Sequence, residues 1–425
     1  MNLRYYQAEQ PPRRHELPGG AVLLEVSAPA ALAVSFGFWL RRGSTVEAPG
    51  RGGVLHFLEH IVFKGSRRYP ALAIAEAFDA IGAAVDAFTT KDYVAFTFKV
   101  LPEYLGEAVD VLADMLLRPL LDPELIALEQ DVVCEEIQEA LDTPEDRLHE
   151  AYAAHIYQAH WRGRPILGTP ESVRALDAAV LREEHRRLFA GPNVVLVLAG
   201  NLQPGYSELI RAAFADLPGG GLDPDASCGP PAPDPTRRAA SELVIQSPIL
   251  QTYFEIGNQA VPSTHPDRVP LLLSGNLLGG GMSSRIFQAV REREGLAYTI
   301  YNYTDMGRDT GLVSCAGSCS PQKEARVREV VDAEYRRLLR EGPTDDELAS
   351  NKAQIKSQLV FALEGVHNQM HRAAKNEILF GRFLPLGELV AQVDQVDREA
   401  VMRCAAAWYD PDRLVYAAHR PSQQR

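Results

Sequence analysis

Two pairs of segments on either side of the chain's midpoint read alike. "LLDPELIALEQDVVCEEIQ" (120–138) lines up with "GPTDDELASNKAQIKSQLV" (342–360), both turn-entered helical patterns. "VRALDAAVLREEHRRLFAGPNVVLVLAG" (173–200) lines up, at nearly the same offset, with "VDQVDREAVMRCAAAWYDPDRLVYAAH" (393–419). Each is a helix, a proline-containing turn and an apolar strand. Self-similarity on this scale points to two copies of one fold rather than one large core. A length of 425 residues exceeds what a single hydrophobic core supports, so the two constraints agree. Between the copies, "PGGGLDPDASCGPPAPDP" (218–235) holds six prolines and four glycines and almost nothing apolar, the composition of an exposed linker. The expected division is a first domain over 1–217, a linker over 218–239 and a second domain over 240–425.

Within each copy, "AVLLEVS", "LAVSFGFWL", "YVAFTFKV" and "NVVLVLAG" are β-branched or alternating and read as strands. "PEYLGEAVDVLADMLL" and "TPESVRALDAAVLREEHRRLF" repeat apolar residues at three and four and read as helices. Strands in close succession and helices in runs predict an α+β fold, with antiparallel sheets and helices on one side. Apolar residues make up 46% and charged residues 23%. No apolar run approaches the roughly 20 residues of a bilayer span, and the start has no secretory apolar block, so a cytoplasmic protein is expected. Five cysteines, an odd number scattered over the chain, argue against a disulfide framework. Cys315 and Cys319 are expected to be two strand residues on one face, not half of a zinc site. A net charge of −13 with no basic cluster disfavours nucleic acid and anionic membranes and slightly favours cationic partners.

"LHFLEHIVFKG" (55–65) carries the chemistry. On a helix, residues four apart share a face, so His56 and His60 can turn both imidazoles to one ion while Glu59 projects from the same side. Zinc held this way needs a third protein ligand and an open position for water, and Glu59 is then the base that takes water's proton and later returns it to the leaving amine. The order His-x-x-Glu-His is the inverted zincin pattern. His367 and His371, in "HNQMH", share the spacing without the glutamate and read as ordinary histidines. The third ligand is expected to be a carboxylate from "LEQDVVCEEIQEALDTPEDRLHE", read as one helix carrying Glu129, Glu135, Glu136 and Glu139. Glu129 and Glu136 are seven apart, two turns, on one face. Spacing alone does not choose among the four.

These segments resemble the pitrilysin and mitochondrial-processing-peptidase family of zinc metallopeptidases, in its bacterial two-domain form. "GGVLHFLEHIVFKGSRRYP" is similar to the family's zinc helix, "EQDVVCEEIQEALDTPEDRLHEA" to the segment with its last ligand, and "PNVVLVLAGN" to the strand closing its first domain. The resemblance implies two tandem homologous domains, one zinc ion per chain on His56, His60 and Glu136, and a supporting role for Glu129. "LLGGGMSSRIFQAVREREGLAYTIYNY" (277–303) is similar to the segment whose arginine and tyrosine, here Arg291 and Tyr298, contact substrate backbone and oxyanion. It lacks the ending of a phosphate-binding loop. Asp86-Ala87-Phe88-Thr89 stands where the family usually has Asn-Ala ahead of an aromatic residue and threonine. That strand edge implies Asp86 and Ala87 in substrate binding, with preference altered by the aspartate. Lys352 and Leu359 align with Glu129 and Glu136, so the second copy has no metal site. The resemblance implies an endopeptidase acting on extended or unfolded peptides in a chamber of four domains, hence a dimer. A homodimer is the simpler expectation; a heterodimer with a zinc-less paralogue and a non-catalytic scaffold subunit are the alternatives. A short inverted-motif hydrolase acting on S-ribosylhomocysteine has no counterpart to residues 240–425.

Overall fold

A computed structural model of the chain describes residues 9–220, 232–234 and 239–422. Most of the expected linker, with Cys228, lies outside the described residues. Two compact units form. One comprises Met1–Gln138, Arg164–Gly229 and Val360–Pro385, the other Glu139–Gly163, Pro230–Leu359 and Leu386–Arg425.

The first unit is built on six strands: β1 (Arg13–Glu16), β2 (Val22–Ser27), β3 (Val34–Leu40), β4 (Ala84–Thr89), β5 (Val94–Val100) and β6 (Val194–Gly200). They lie in the order β1-β2-β6-β3-β5-β4, antiparallel except for the β2–β6 pair. Phe36 pairs with Phe98 and Phe38 with Phe96 across β3 and β5. These rings enter a core with Phe57 and Leu58 of the helix Val54–Ile61 and Leu112 and Leu116 of the helix Leu105–Leu117. Trp39, Ala95, Val195 and Val197 point to the opposite face, which is also covered. Val366, Met370, Ala373, Ala374 and Ile378 of the helix Val366–Phe380 pack there.

The expectation of helices on one side is therefore corrected: the sheet is sandwiched. This explains why β3 and β6 are buried at every position, since a strand covered on both faces has no reason to alternate. Each fully buried large side chain here is worth about 1.5–3 kcal/mol.

The second unit has β7 (Ser241–Ser247), β8 (Thr252–Ala260), β9 (Ala297–Met306), β10 (Gly311–Cys319) and β11 (Val415–Pro421), in the order β7-β11-β8-β10-β9. This repeats the order β2-β6-β3-β5-β4, down to its single parallel pair, β7 with β11. One face packs on Leu271, Val331 and Cys404 from three helices, and Cys315 and Cys319 are both buried there as free thiols. The other face takes Leu148, Tyr152 and Ile156 of the helix Pro144–Tyr157. The fold is α+β, with two similar units of mainly antiparallel sheet and helices.

Two patterns read as continuous helices are broken. Residues 169–189 form Pro170–Arg174 and Ala178–Leu188, because Asp177 accepts the N–H groups of Ala179 and Val180 and starts the second helix afresh. The acidic run forms Pro123–Asp142 and Pro144–Tyr157. Pro144 has no N–H to continue the first helix and suits the first position of the next. Among the described residues, no helix is long and apolar enough to cross a membrane.

Candidate metal centre

The helix Val54–Ile61 opens abruptly. Gly53 has φ +86° and a Cβ on it would meet the Leu167 carbonyl oxygen at 2.4 Å, so only glycine makes the turn. No side chain of the cap itself satisfies the first N–H groups. Glu47 does so from outside the helix: its buried carboxylate accepts N–H from Gly53 and from Leu55, both at 2.9 Å. Burial pushes the Glu47 carboxyl up to about 7, against the pull of these two bonds.

With the helix so placed, His56 and His60 stack edge to face, ring centroids 4.5 Å apart. Glu136, from the helix Pro123–Asp142, reaches both: Oε1 lies 3.6 Å from His56 Nε2 and Oε2 lies 3.6 Å from His60 Nε2. One ligand atom from each of the three lies within 4.8 Å of the others, and among the described residues this is the one such group that could hold a metal. Ligands about 2.1 Å from a tetrahedral ion are about 3.4 Å apart, close to the two 3.6 Å spacings from Glu136 to the histidines. Two imidazoles and a carboxylate are also a donor set zinc favours, with one position left open. Glu135 and Glu139, on the same helix, are exposed.

The surroundings set each group's state. Burial, then the neighbouring His60, lowers the His56 pKa to about 4, leaving the neutral imidazole that a metal requires. His56 Nδ1 is buried without a hydrogen-bond partner. His60 differs: its Nδ1 is 2.9 Å from Glu129 Oε1, and that bond raises its pKa despite burial. A proton on Nδ1 leaves the Nε2 lone pair facing Glu136. Burial would raise the Glu129 pKa, but bonds from His60 and Lys64 outweigh it and hold the carboxyl below its usual range. Glu59 accepts a 2.6 Å hydrogen bond from Thr89 Oγ1 of β4. Its pKa is raised, first by burial and then by Glu136 and Asp86, against Thr89 and His60.

Asp86 and Ala87 lie on β4, which pairs with β5 alone and is the open edge of its sheet. Thr89 shares a face with Ala87, whereas Asp86 shares one with Phe88, the face against the helix Val366–Phe380. On that helix His367 and His371 touch each other through their Nε2 atoms at 2.9 Å, and His371 stacks on Phe88.

Arg291 and Tyr298 belong to the second unit. Arg291 sits in a π-helical stretch, Phe287–Arg293, and Tyr298 on β9, the edge strand of that sheet. The guanidinium lies over the Tyr298 ring at 4.7 Å and over Phe287 at 4.9 Å, a cation–π pairing that orients both. Tyr298 is 81% exposed and, with Arg291, Glu292 and Lys323, lines an open cleft of about 570 Å³.

Sequence reasoning did not single out Glu47, Lys64 or the Thr89 contact. Lys64 was within reach, four residues beyond His60 on the same stripe. Glu47 acts from a loop, where no period marks it.

Residues 22–170 match the family model for insulinase (peptidase family M16), and residues 175–355 that for the peptidase M16 inactive domain. An uncharacterized zinc protease of Streptomyces coelicolor is 33% identical over 397 residues, 92% of this chain and 86% of the relative. The uncharacterized zinc protease YmxG of Bacillus subtilis is 32% identical over 400 residues, 94% of this chain and 96% of the relative. In fold, the chain superposes on a protease from Helicobacter pylori with a TM-score of 0.89 at 19% identity, covering 97% of this chain and 100% of that one. A peptidase M16 inactive domain structure from Pseudomonas fluorescens gives 0.88 at 19% identity, covering 98% and 99%. Two family matches that together span most of the length, with relatives aligned over most of theirs, place this chain in peptidase family M16.

Proposed function

We propose that this chain is a zinc-dependent endopeptidase that hydrolyses extended or unfolded peptides, working as a cytoplasmic homodimer that encloses its substrate. The observation that carries this reading is the meeting of His56, His60 and Glu136 around one point, with Glu59 held beside them by Thr89. Zinc bound there would polarise the scissile carbonyl and bring the pKa of water toward neutrality.

The chain's own residues do the rest. Glu59 takes the proton of the attacking water and passes it to the leaving amine. A raised pKa brings that carboxyl nearer the value suited to both steps. The open edge of β4 accepts an extended peptide as a further strand, whose main chain bonds at Ala87 while Asp86 sets side-chain preference. On the family resemblance, Arg291 and Tyr298 are assigned to the substrate backbone and the oxyanion. A homodimer is proposed because this chain carries both the zinc motif and the Arg/Tyr motif.

The test is zinc content together with cleavage of an unstructured peptide, for wild type, His56→Ala and Glu59→Gln. The expected pattern is one zinc and turnover in wild type, neither in His56→Ala, and zinc with turnover lower by about 10²–10⁴ in Glu59→Gln. A wild type that binds zinc but cleaves nothing, or a Glu59→Gln variant as active as wild type, refutes it. A solution mass that reaches the dimer only on adding a second protein favours the heterodimer.

A further inference from the structure

His56, His60 and Lys64 form a single stripe at i, i+4 and i+8, the last on the short turn Val62–Lys64 that continues the motif helix. Glu129 and Glu136 form the facing stripe, two turns apart on the acidic helix. The two interleave. Glu136 lies between His56 and His60, and Glu129 lies between His60 and Lys64: Oε1 is 2.9 Å from His60 Nδ1, Oε2 is 2.8 Å from Lys64 Nζ.

Glu129 is a buried carboxylate, its side chain 4% exposed. A surface ion pair contributes little, but a buried carboxylate stripped of its cation is costly, because the charge stays without compensation.

We propose that Lys64 is a positioning residue of the metal centre: by gripping Glu129 Oε2 it holds Oε1 on His60 Nδ1 and so aims His60 Nε2 at the ion. Lys64 itself reaches neither metal nor substrate. The inference rests on the zinc reading above and adds to it a residue that acts through two others.

Zinc dissociation constants from competition with a chromophoric chelator test it, on the full chain, with apo-protein melting temperatures alongside. Lys64→Met is expected to weaken zinc about tenfold, the lower end for loss of a partner behind a ligand, and Lys64→Arg to stay within about threefold of wild type, since it retains the charge and a donor. In a Glu129→Gln background, Lys64→Met is expected to add nothing, because the two act in series. A merely structural tether would lower the apo melting temperature without this dependence on Glu129. Zinc affinity of Lys64→Met within about twofold of wild type overturns the inference, as does an equal loss in the Glu129→Gln background. If Lys64→Met does not fold, Lys64→Gln is measured against the same limits. A wild type that takes up no zinc overturns the ligand assignment itself, a result separate from an indifferent Lys64.

Discussion

Removing the carboxylate of Glu47 disturbs the metal helix without touching any metal ligand. Its two oxygens each accept one helix N–H at 2.9 Å, and the residue is 1% exposed. In Glu47→Ala both donors lose their acceptor. An unsatisfied buried donor costs about 1–3 kcal/mol, and a water entering the vacated space recovers part of that, so about 3 kcal/mol is expected for the pair. Glu47→Gln keeps one carbonyl acceptor but turns an NH₂ toward the other N–H, for about 1–2 kcal/mol. At about 2–4 °C per kcal/mol for a unit of this size, Glu47→Ala should melt roughly 10 °C below wild type and Glu47→Gln a few degrees below. Zinc affinity should fall in the same order, since the first turn of the helix sets the height of His56. Thermal melts by circular dichroism and chelator competition measure both. Two variants that melt within a degree of wild type would show that the helix N-terminus draws its hydrogen bonds from elsewhere.

Thr89→Val removes the hydroxyl that orients Glu59; peptide turnover should drop about tenfold in kcat with KM little changed, while Thr89→Ser stays close to wild type. Met370 is fully buried between its helix and the first sheet, so Met370→Ala should destabilise by about 2–5 kcal/mol, read by denaturant unfolding; a change below about 0.5 kcal/mol would contradict the packing. The Arg285 guanidinium, then the Thr344 N–H, holds Glu347 down to about 2 against burial. A depressed folded pKa gives stability that is present above about 4.5 and lost as pH falls toward 2. The carboxyl is partly exposed, its side chain 30% accessible, so after screening this amounts to about 1 kcal/mol, and the advantage of wild type over Glu347→Gln should vanish between pH 5 and 2 in urea titrations, within about that window.

Legibility followed the range of the interactions. His56, Glu59 and His60 are set by the pitch of one helix, and five positions of sequence suffice to see them. Choosing Glu136 over Glu135 or Glu139 depends on how the acidic helix is rotated against the motif helix, which no local period encodes; the family resemblance supplied it. The strands were visible in β-branched runs, but "VSFGFWL" and "VVLVLAG" also carried an unread message, since unbroken apolar runs imply cover on both faces. What covers the first sheet is a helix more than 160 positions beyond β6 along the chain, a contact made by tertiary packing alone. The breaks at Thr143-Pro144 and at Asp177 were local signals that a strong apolar period masked.

The central claim, one zinc ion on His56, His60 and Glu136, is tested most directly by anomalous diffraction at the zinc edge from crystals of the wild-type chain. The account predicts a single strong peak per chain, about 2.0–2.2 Å from both histidine Nε2 atoms and from a Glu136 carboxylate oxygen. Density empty at that point in zinc-saturated crystals, or a peak bound by other side chains, would contradict it.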